Sequence, residues 1–215
     1  MIKNIIFDVG NVFVRWSPQE VVERCFNLQK GSDENLRRAE ALFRCPLWMN
    51  LNRGELTQHE AERAYQAQFG LSEAETKALF FHVMDHLELI EGTEEIAYRL
   101  KKAGYGVFAL TDNVHEIVAY LKGRHPFWNL FDGAVVSAEI GILKPDPAIF
   151  RHATEKFRLL AEEAAFFDDI EANVDGARSI GIEARIFTSP GRCEADLQAL
   201  GLSSKFLERD FFDLR

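Results

Sequence analysis

Polar side chains follow four short apolar runs of this chain, and their types suit the transfer of a phosphoryl group. Asp8 follows Ile-Ile-Phe, Thr111 follows Val-Phe-Ala-Leu, and Lys144 begins the run Lys-Pro-Asp-Pro. Asp168 and Asp169 follow Ala-Phe-Phe. A carboxylate can attack phosphorus, an ammonium can offset the charge of the phosphoryl group, and small donors can orient it. These groups predict one site for a phosphate ester if the fold brings them together.

The apolar runs that precede these residues predict buried strands of a parallel sheet. Strands that alternate with helices indicate a doubly wound, Rossmann-like α/β fold. In such a sheet ligands bind outside the carboxyl ends of the strands, so the polar residues should converge on one crevice. The predicted strands cover residues 4–14, where the range includes the segment that leaves the first strand, and residues 106–111, 133–137, 164–168 and 184–188. The predicted helices cover residues 94–103 and 172–180, with one more that begins at about Val114 and another that begins at Asp146 and Pro147.

The stretch between the first two core strands has a helical pattern. Two capping boxes, which begin at Thr57 and Ser72, each precede apolar residues at helical spacing. We expect four helices of about 10–15 residues, an ordinary length for globular proteins. They predict a small helical bundle inserted into the core, with a cap domain over residues 16–87 and an α/β core domain over residues 1–15 and 88–215.

The same motifs resemble those of the haloacid dehalogenase superfamily, and specifically its magnesium-dependent phosphatases. The resemblance covers nearly the whole chain, from Ile5 to about Phe187. The start Phe-Asp-Val-Gly-Asn-Val, with Phe-Phe-Asp-Asp later, is most similar to sugar-phosphate phosphatases of the alpha-D-glucose-1-phosphate phosphatase type. The resemblance implies a Mg²⁺-dependent phosphatase that hydrolyses a small phosphorylated metabolite, with a sugar phosphate expected, through an aspartyl-phosphate on Asp8.

Each polar residue of the crevice then has an expected role. Asp8 is the nucleophile, and Lys144 is the catalytic ammonium that also binds phosphate. Thr111 can donate its hydroxyl to a phosphoryl oxygen, beside backbone N–H groups that can form an anion nest. Asp112 stands where the related phosphatases usually have Asn. A further carboxylate near phosphate is unfavourable unless it points away, so only the backbone N–H of Asp112 is assigned to phosphate binding.

The adjacent carboxylates of Asp168 and Asp169 repel each other, and a bound divalent cation would resolve the repulsion. Oxygen ligands suit Mg²⁺. The resemblance implies that Asp8, the Gly10 carbonyl and Asp169 bind Mg²⁺, with Asp168 acting directly or through water. Asn173 follows four residues after Asp169 and could hold a water or the loop.

Gly10 departs from many phosphatases of this superfamily, which carry a second Asp two residues after the nucleophile. That Asp protonates the leaving oxygen and later activates water, and Gly10 has no side chain for either step. Its loss removes an effect that is typically about 10²–10⁴ in rate. The loss matters less for an anomeric phosphate, which is a better leaving group than a primary alkyl phosphate.

Residues outside these motifs could contact the substrate or belong to the core. Trp16 follows the first strand with Phe13 and Arg15, and this cluster could line the crevice. Trp48 and Arg53 lie in the predicted cap, so they reach substrate only if the cap closes over the crevice. Packing inside the core or the bundle is the alternative for the aromatic side chains.

A separate metal site or a disulfide framework is not expected elsewhere in the chain. His82 and His86 are four residues apart and could share one helix face, but no third ligand has convincing spacing. An ordinary helix surface is the expected reading of this pair. The three cysteines, Cys25, Cys45 and Cys193, form no CxxC motif and are an odd number, so we expect free thiols.

Composition limits the partners of the 215-residue chain, which is 47% hydrophobic and 27% charged. The net charge of −9 predicts no nucleic-acid partner, because a long phosphate footprint needs clustered Lys and Arg. A small phosphate ester needs only a few local cations. No apolar run approaches membrane-spanning length and no signal-peptide pattern begins the chain, so we expect no membrane partner and a cytoplasmic location. The sequence predicts no oligomeric state.

Three other functions are compatible with parts of this pattern. In a 2-haloacid dehalogenase Asp8 would attack carbon, but a halide substrate needs no Mg²⁺ and the Asp168–Asp169 pair repels a haloacid. A phosphomutase would need the acid/base group that position 10 lacks. A catalytically weak regulatory or binding protein on the same fold is the non-enzyme alternative.

Overall fold

Five parallel strands form one sheet in the computed structural model, which describes residues 1–202. The strands are β1 Asn4–Phe7, β2 Gly106–Thr111, β3 Gly133–Val136, β4 Ala164–Asp168 and β5 Glu183–Ile186. Their order is β3-β2-β1-β4-β5, so the chain begins at the centre of the sheet and extends it on both sides. Every neighbouring pair is parallel. The predicted doubly wound α/β fold is confirmed.

Five helices follow β1 before the chain returns to the layers around the sheet. We call them the inserted helices: α1 Pro18–Phe26, α2 Asp33–Phe43, α3 Pro46–Asn52, α4 Gln58–Phe69 and α5 Glu73–Asp85. The prediction of four helices is wrong, because the chain breaks once more at Arg44 and Cys45, and Pro46 takes the first position of α3, where proline is favoured. Both predicted capping boxes, at Thr57 and Ser72, are confirmed. The division into a core and a cap domain stays a prediction.

Further helices alternate with the strands and cover both faces of the sheet. Ile5 and Phe7 of β1 pack in one apolar layer, whereas Ile6 packs in the other, as expected for a strand buried on both faces. In residues 1–202 no helix has the length and apolar character that crossing a membrane requires. The helices are α6 Thr93–Lys102, α7 His115–Arg124, α8 Ser137–Ile140, α9 Pro147–Phe157, α10 Glu171–Arg178 and α11 Pro190–Ala199, with 3₁₀ turns at Pro126–Leu130 and Ala161–Glu163.

Most boundaries lie within two residues of their predicted positions, and α11 is an element that the sequence did not predict. Pro147 begins α9 and the Asp146 side chain accepts from the N–H of Ala148, which confirms the predicted helix start. The last strand ends at Ile186, two residues earlier than expected.

The two chain segments that join the inserted helices to the sheet run side by side. The N–H of Arg15 donates to the Glu88 carbonyl at 2.8 Å, and the N–H of Ile90 donates to the Phe13 carbonyl at 2.8 Å. Next to them His86 is buried: its Nε2 accepts from the Ser17 N–H at 3.0 Å and its Nδ1 lies 3.0 Å from the His82 carbonyl. Protein contacts thus occupy both ring nitrogens of His86. They leave no nitrogen of this ring for a metal.

The strand register brings the predicted site residues to one edge of the sheet. Phe7 at the end of β1 pairs with Ala109 of β2 on one side and with Phe167 of β4 on the other. The residues that follow these positions are Asp8, Leu110 with Thr111, and Asp168. The carboxyl ends of the three central strands therefore meet where ligands bind in this class of fold.

Candidate active site

The ammonium of Lys144 lies between two carboxylates at the carboxyl edge of the sheet. Its Nζ is 2.8 Å from Asp8 Oδ1 and 2.7 Å from Asp168 Oδ2, and it donates to the Leu110 carbonyl at 3.3 Å. The Lys144 side chain is only 1% exposed. A buried charge is tolerated when it is paired and hydrogen-bonded in this way. The loop between α8 and α9 thus delivers a fixed cation to the end of β1.

Asp168 holds this arrangement together from the end of β4. It is fully buried and, besides Lys144, it accepts from the Ile170 N–H at 2.8 Å. Asn173, near the start of α10, donates to both Asp168 oxygens at 3.0 and 3.1 Å. Asn173 therefore lies beside the acidic pair, and it fixes the loop through Asp168. The Asp168 oxygens are largely engaged by the protein itself.

Asp169 is in a different setting although it is the next residue. It is partly exposed, and its Oδ2 accepts from Asn11 Nδ2 at 3.0 Å. Asn11 has a left-handed backbone conformation, with a φ of 52°, and its Oδ1 accepts from the Trp16 N–H at 2.8 Å. Asn tolerates this conformation better than most residues. Asn11 thus ties the loop after β1 to the loop after β4.

Three carboxylates gather at this point, and their chemistry fits a hard divalent cation. Asp8, Asp168 and Asp169 each offer an oxygen, and these atoms lie within 4.8 Å of one another. One ammonium does not neutralise three carboxylates, and carboxylate and carbonyl oxygens are the ligands that Mg²⁺ prefers. Gly10 lies on the wall of the same cavity. The donor set therefore fits the predicted ion.

The pKa values of these groups reflect burial and crowding. Burial raises the pKa of Asp8, and the neighbouring Asp168 and Asp169 add to the rise. The Lys144 ammonium opposes it. Burial also raises the pKa of Asp169 and of Asp112. For Lys144 burial favours the neutral form, but the surrounding carboxylates outweigh it and raise the pKa. The site therefore favours a charged lysine and would favour a further cation.

The end of β2 forms the third side of the site. Thr111 and Asp112 both line the cavity, and Thr111 is buried. Both Asp112 oxygens accept from the Lys144 backbone N–H at 3.1 Å. This contact gives the Asp112 carboxylate a structural partner. The phosphatases that the sequence resembles usually have Asn at this position. The Asn113 N–H donates to Ser137 Oγ at 2.9 Å, which links this loop to α8.

A cavity of about 490 Å³ extends from the charged residues towards the inserted helices. Three aromatic side chains, which we call the ring wall, line it: Trp16, Phe43 and Trp48. The Trp16 and Trp48 rings stack with centroids 5.7 Å apart and planes 5° apart. Phe43 meets them edge-on at 5.4 and 5.0 Å. The two tryptophans that the sequence singled out therefore lie side by side, one before the inserted helices and one within them.

Other residues of the aromatic and cationic clusters lie outside this cavity. Arg53 does not line it, and its guanidinium is 3.5 Å from Asn50 Oδ1, although it is close enough to Asp112 to act on its pKa. Phe13 is buried in the core, where it stacks on Phe127 at 4.8 Å. Arg15 is an exposed residue that pairs with Glu20. Phe13 thus follows the alternative of packing in the core, and neither Phe13 nor Arg15 lines the cavity.

Several residues of this site are not among those that the sequence predicts. Asn11, Phe43 and Asn52 line the cavity, and Arg44 lies at its rim. Phe43 belongs to the apolar face of α2, and nothing in a helical pattern distinguishes a core residue from one that lines a cavity. Asn11 had a usable signal, because Asn in a turn after a strand tolerates left-handed backbone better than most residues.

Comparisons with known proteins place this geometry in context. Residues 2–181 match the family described as a haloacid dehalogenase-like hydrolase. The chain is 27% identical over 180 residues to the sesquiterpene phosphatase astK of Aspergillus oryzae, covering 84% of this chain and 87% of that protein. It is 24% identical over 193 residues to the D-ribitol-5-phosphate phosphatase of Bacteroides thetaiotaomicron, covering 85% and 90%. A haloacid dehalogenase family enzyme from the same bacterium, solved with magnesium and inorganic phosphate, has a similar fold, with a TM-score of 0.73, 20% identity and coverage of 88% and 96%.

Proposed function

Because the chain belongs to the haloacid dehalogenase-like hydrolase family, we propose that it hydrolyses a small phosphate monoester through an aspartyl-phosphate on Asp8. The observation that carries this proposal is the buried Lys144 ammonium, 2.8 Å from Asp8 Oδ1 and at the end of a 490 Å³ cavity. A nucleophile next to a fixed cation is the arrangement that attack on a phosphate dianion needs, because the cation offsets the repulsion between the two anions.

The reaction has two steps on the same carboxylate. An Asp8 oxygen attacks phosphorus, the bond from phosphorus to the ester oxygen breaks, and the alcohol leaves after it gains a proton from solvent. Water then attacks phosphorus, the aspartyl bond breaks, and inorganic phosphate and the free Asp8 carboxylate are released. Lys144 faces the charge that develops on the phosphoryl oxygens in both steps. Thr111 and the N–H of Asp112 orient the phosphoryl group from the end of β2.

The expected cofactor is Mg²⁺, held by Asp8, the Gly10 carbonyl and Asp169. When bound, it supplies positive charge for the transferred phosphoryl group. Asp168 holds Lys144 and the loop after β4, so we assign it a positioning role through its contacts with Lys144 and Asn173. The three gathered carboxylates also favour a reaction that uses a divalent cation, which the displacement of a halide does not need.

The inserted helices act as the predicted cap, which excludes water from the cavity and selects the organic group of the ester. The resemblance to alpha-D-glucose-1-phosphate phosphatases favours a sugar phosphate. The relatives differ in this respect, since one is named for a sesquiterpene and another for a sugar-alcohol phosphate. The names support a phosphatase and leave the organic group to be decided from the cavity.

The proposal is tested with the purified chain and p-nitrophenyl phosphate, whose good leaving group needs no acid from the enzyme. We expect Asp8→Asn to lose activity by on the order of 10⁴ or more, because an amide cannot form the acyl phosphate. Asp146→Asn is the matched control, since Asn caps a helix as well as Asp does, and it should keep wild-type activity. Acid-quenched wild-type protein should carry phosphate that Asp8→Asn lacks.

Removal of the metal completes the test. Excess chelator should abolish hydrolysis, Mg²⁺ should restore it, and Ca²⁺ should substitute poorly because its coordination is longer and looser. More than a few per cent of wild-type activity in folded Asp8→Asn would remove Asp8 from the nucleophile role. Hydrolysis of p-nitrophenyl phosphate that persists in chelator would overturn the role of Mg²⁺, and metal-independent release of halide from a 2-haloacid would point to the dehalogenase alternative.

A further inference from the structure

We propose that the ester hydrolysed here carries a mainly apolar organic group, which lies against the ring wall while its phosphate lies at Asp8 and Lys144. This inference rests on the proposed function and names the substrate class for the same site. It departs from the sugar phosphate that the sequence resemblance favours. The basis is the chemistry of the cavity beyond its charged end.

Most of the side chains that line that part of the cavity are apolar. The ring wall forms one side, and Met49 beside it is 45% exposed. An exposed methionine next to aromatic rings is typical of surfaces that bind apolar ligands of variable shape. The remaining apolar side chains that line the cavity are Val14, Leu87, Ile117, Leu143 and Ile170.

Each polar side chain of the cavity beyond its charged end already has at least one protein partner. The Asn52 amide donates to a backbone carbonyl of its own helix at 2.8 Å, and Asn113 Oδ1 accepts from the next backbone N–H at 3.0 Å. Asn11 uses both ends of its side chain, and Arg44 pairs with Glu40 at 3.3 Å. Few groups are therefore placed to receive the several hydroxyls of a sugar.

The energetics follow from this distribution. A hydroxyl that leaves water for an apolar cavity without a new partner loses binding free energy, whereas a methylene gains it. Each methylene that the cavity removes from water should raise kcat/KM about fourfold, which follows from the usual transfer free energy of that group. A volume of 490 Å³ lies in the range of pockets that enclose a whole organic ligand.

The test compares n-pentyl monophosphate with D-ribitol 5-phosphate, which share a five-carbon chain and a primary ester and differ in the hydroxyls. We expect kcat/KM to be at least about tenfold higher for the pentyl ester, and to rise by about fourfold per methylene from n-propyl to n-pentyl. The hydroxyls make ribitol the slightly better leaving group, so leaving-group acidity cannot produce this preference. Equal or better hydrolysis of the ribitol ester, or a flat series, would overturn the inference.

Variants of the ring wall test whether the preference for apolar esters arises from these side chains. Trp48→Ala should lower kcat/KM for the pentyl ester by roughly tenfold and flatten the series, and Trp48→Phe should restore part of both. Met49→Gln changes a half-exposed side chain with little risk to folding, and it should also flatten the series. Phe81→Ala is the matched control, because Phe81 is 57% exposed on α5 and away from the cavity. It should leave the series unchanged.

The two proposals fail in different ways. Hydrolysis of p-nitrophenyl phosphate that depends on Asp8, together with a preference for the ribitol ester, would overturn the apolar substrate and keep the phosphatase. The absence of hydrolysis with every ester, in the presence of Mg²⁺, would overturn both.

Discussion

At one end of the cavity, polar atoms are held by short, directed contacts; at the other, aromatic rings meet through their faces and edges. The charged end comprises Asp8, Lys144, Asp168 and Asp169, and Lys144 alone makes two contacts with carboxylates at 2.7 and 2.8 Å. The ring wall stacks at centroid distances of 5.0 to 5.7 Å. Directed polar contacts fix the position of reacting atoms, whereas apolar contact is non-directional and follows area.

The difference assigns separate tasks to the two ends. Changes at the charged end should affect every phosphate ester alike, because each ester presents the same phosphoryl group. Changes at the ring wall should affect esters according to their organic group. Changes at residues that join the two ends, such as Ser137, should alter both the activity with every ester and the preference among organic groups.

The largest effects that sharpen the comparison come from the two adjacent carboxylates. Asp168→Asn should lower the free energy of unfolding by about 2 kcal/mol or more. The new amide N–H group would face the donors of Lys144 or Asn173 in a buried site, and the Lys144 charge would lose one of its two carboxylates. Asp169→Asn should change stability by less, since Asp169 is partly exposed and has Asn11 as its partner. Asp169→Asn should instead raise the Mg²⁺ concentration for half-maximal activity by at least about tenfold.

Thermal unfolding and Mg²⁺ titrations of p-nitrophenyl phosphate hydrolysis, made on both variants, separate these roles. A loss of about 2 kcal/mol corresponds to a shift of roughly 4–8 °C in Tm for a chain of this size. If Asp168→Asn moved the Mg²⁺ dependence as far as Asp169→Asn does, Asp168 would be a direct ligand, and its positioning role would be wrong.

The next effect comes from replacing Gly10 by Asp, which should raise the rate by an amount that depends on the ester. The side chains of residues 1–202 that line the cavity include no histidine, glutamate, tyrosine or cysteine to act as general acid, and the aspartates there have other proposed roles or partners. Wild-type rates should therefore rise with the acidity of the leaving group. Gly10→Asp should help poor leaving groups more than good ones, by up to about 10² if the carboxyl reaches the bridging oxygen.

The structure favours this variant, because Gly10 has no left-handed φ and an added Cβ would meet only the Trp16 Cβ at 3.9 Å. The measurement is kcat/KM across aryl and alkyl phosphates of graded leaving-group acidity. Gly10→Asn has nearly the same size without an acid and serves as the control. A flat wild-type response, with the chemical step shown to limit the rate, would mean that another group supplies the proton.

The sequence predicted the charged end far better than the ring wall, and the reason is physical. A residue that directly follows a buried parallel strand lies at the carboxyl edge of the sheet, so Asp8, Thr111 and Asp168 were placed by local pattern alone. The sheet could be predicted for the same reason. The extra break before Pro46 was missed because the apolar pattern continues across it.

The ring wall depends on how separate helices pack, which no local pattern states. Trp16 and Trp48 are 32 residues apart, and Phe43 belongs to a third segment. Arg53 is the opposite case, because it lies close to Trp48 along the chain yet does not line the cavity. The partners of Asp168 and Asp169 were equally hidden: two neighbouring carboxylates differ because one faces Lys144 and the other faces Asn11.

The smallest effect concerns the contact that joins the two ends. Ser137 Oγ accepts from the Asn113 N–H of the loop after β2 and donates to the Asn52 carbonyl of α3 at 2.6 Å. Two residues further on, Gly54 packs so closely on α8 that an added Cβ would overlap the Ala138 carbonyl oxygen. The inserted helices are therefore joined to the loop after β2 by one shared hydroxyl and to α8 by one close backbone approach.

Gly54→Ala should displace α3, and the ring wall with it, from the charged end. We expect roughly a tenfold rise in KM for n-pentyl monophosphate, because small displacements of a binding wall have large effects on positioning, and a smaller rise for p-nitrophenyl phosphate. Gly70→Ala isolates the cause: Gly70 has a φ of +67°, close to the +70° of Gly54, but an added Cβ there meets nothing within 4 Å. Both variants should lose about 1 kcal/mol of stability from the left-handed backbone, which alanine adopts less readily than glycine, and Gly54→Ala should lose more because the overlap with the Ala138 carbonyl must be relieved. Only Gly54→Ala should change the kinetics. If the two variants raised KM for the pentyl ester equally, backbone strain in the inserted helices would explain the effect, and the close contact with α8 would have no part in placing the ring wall.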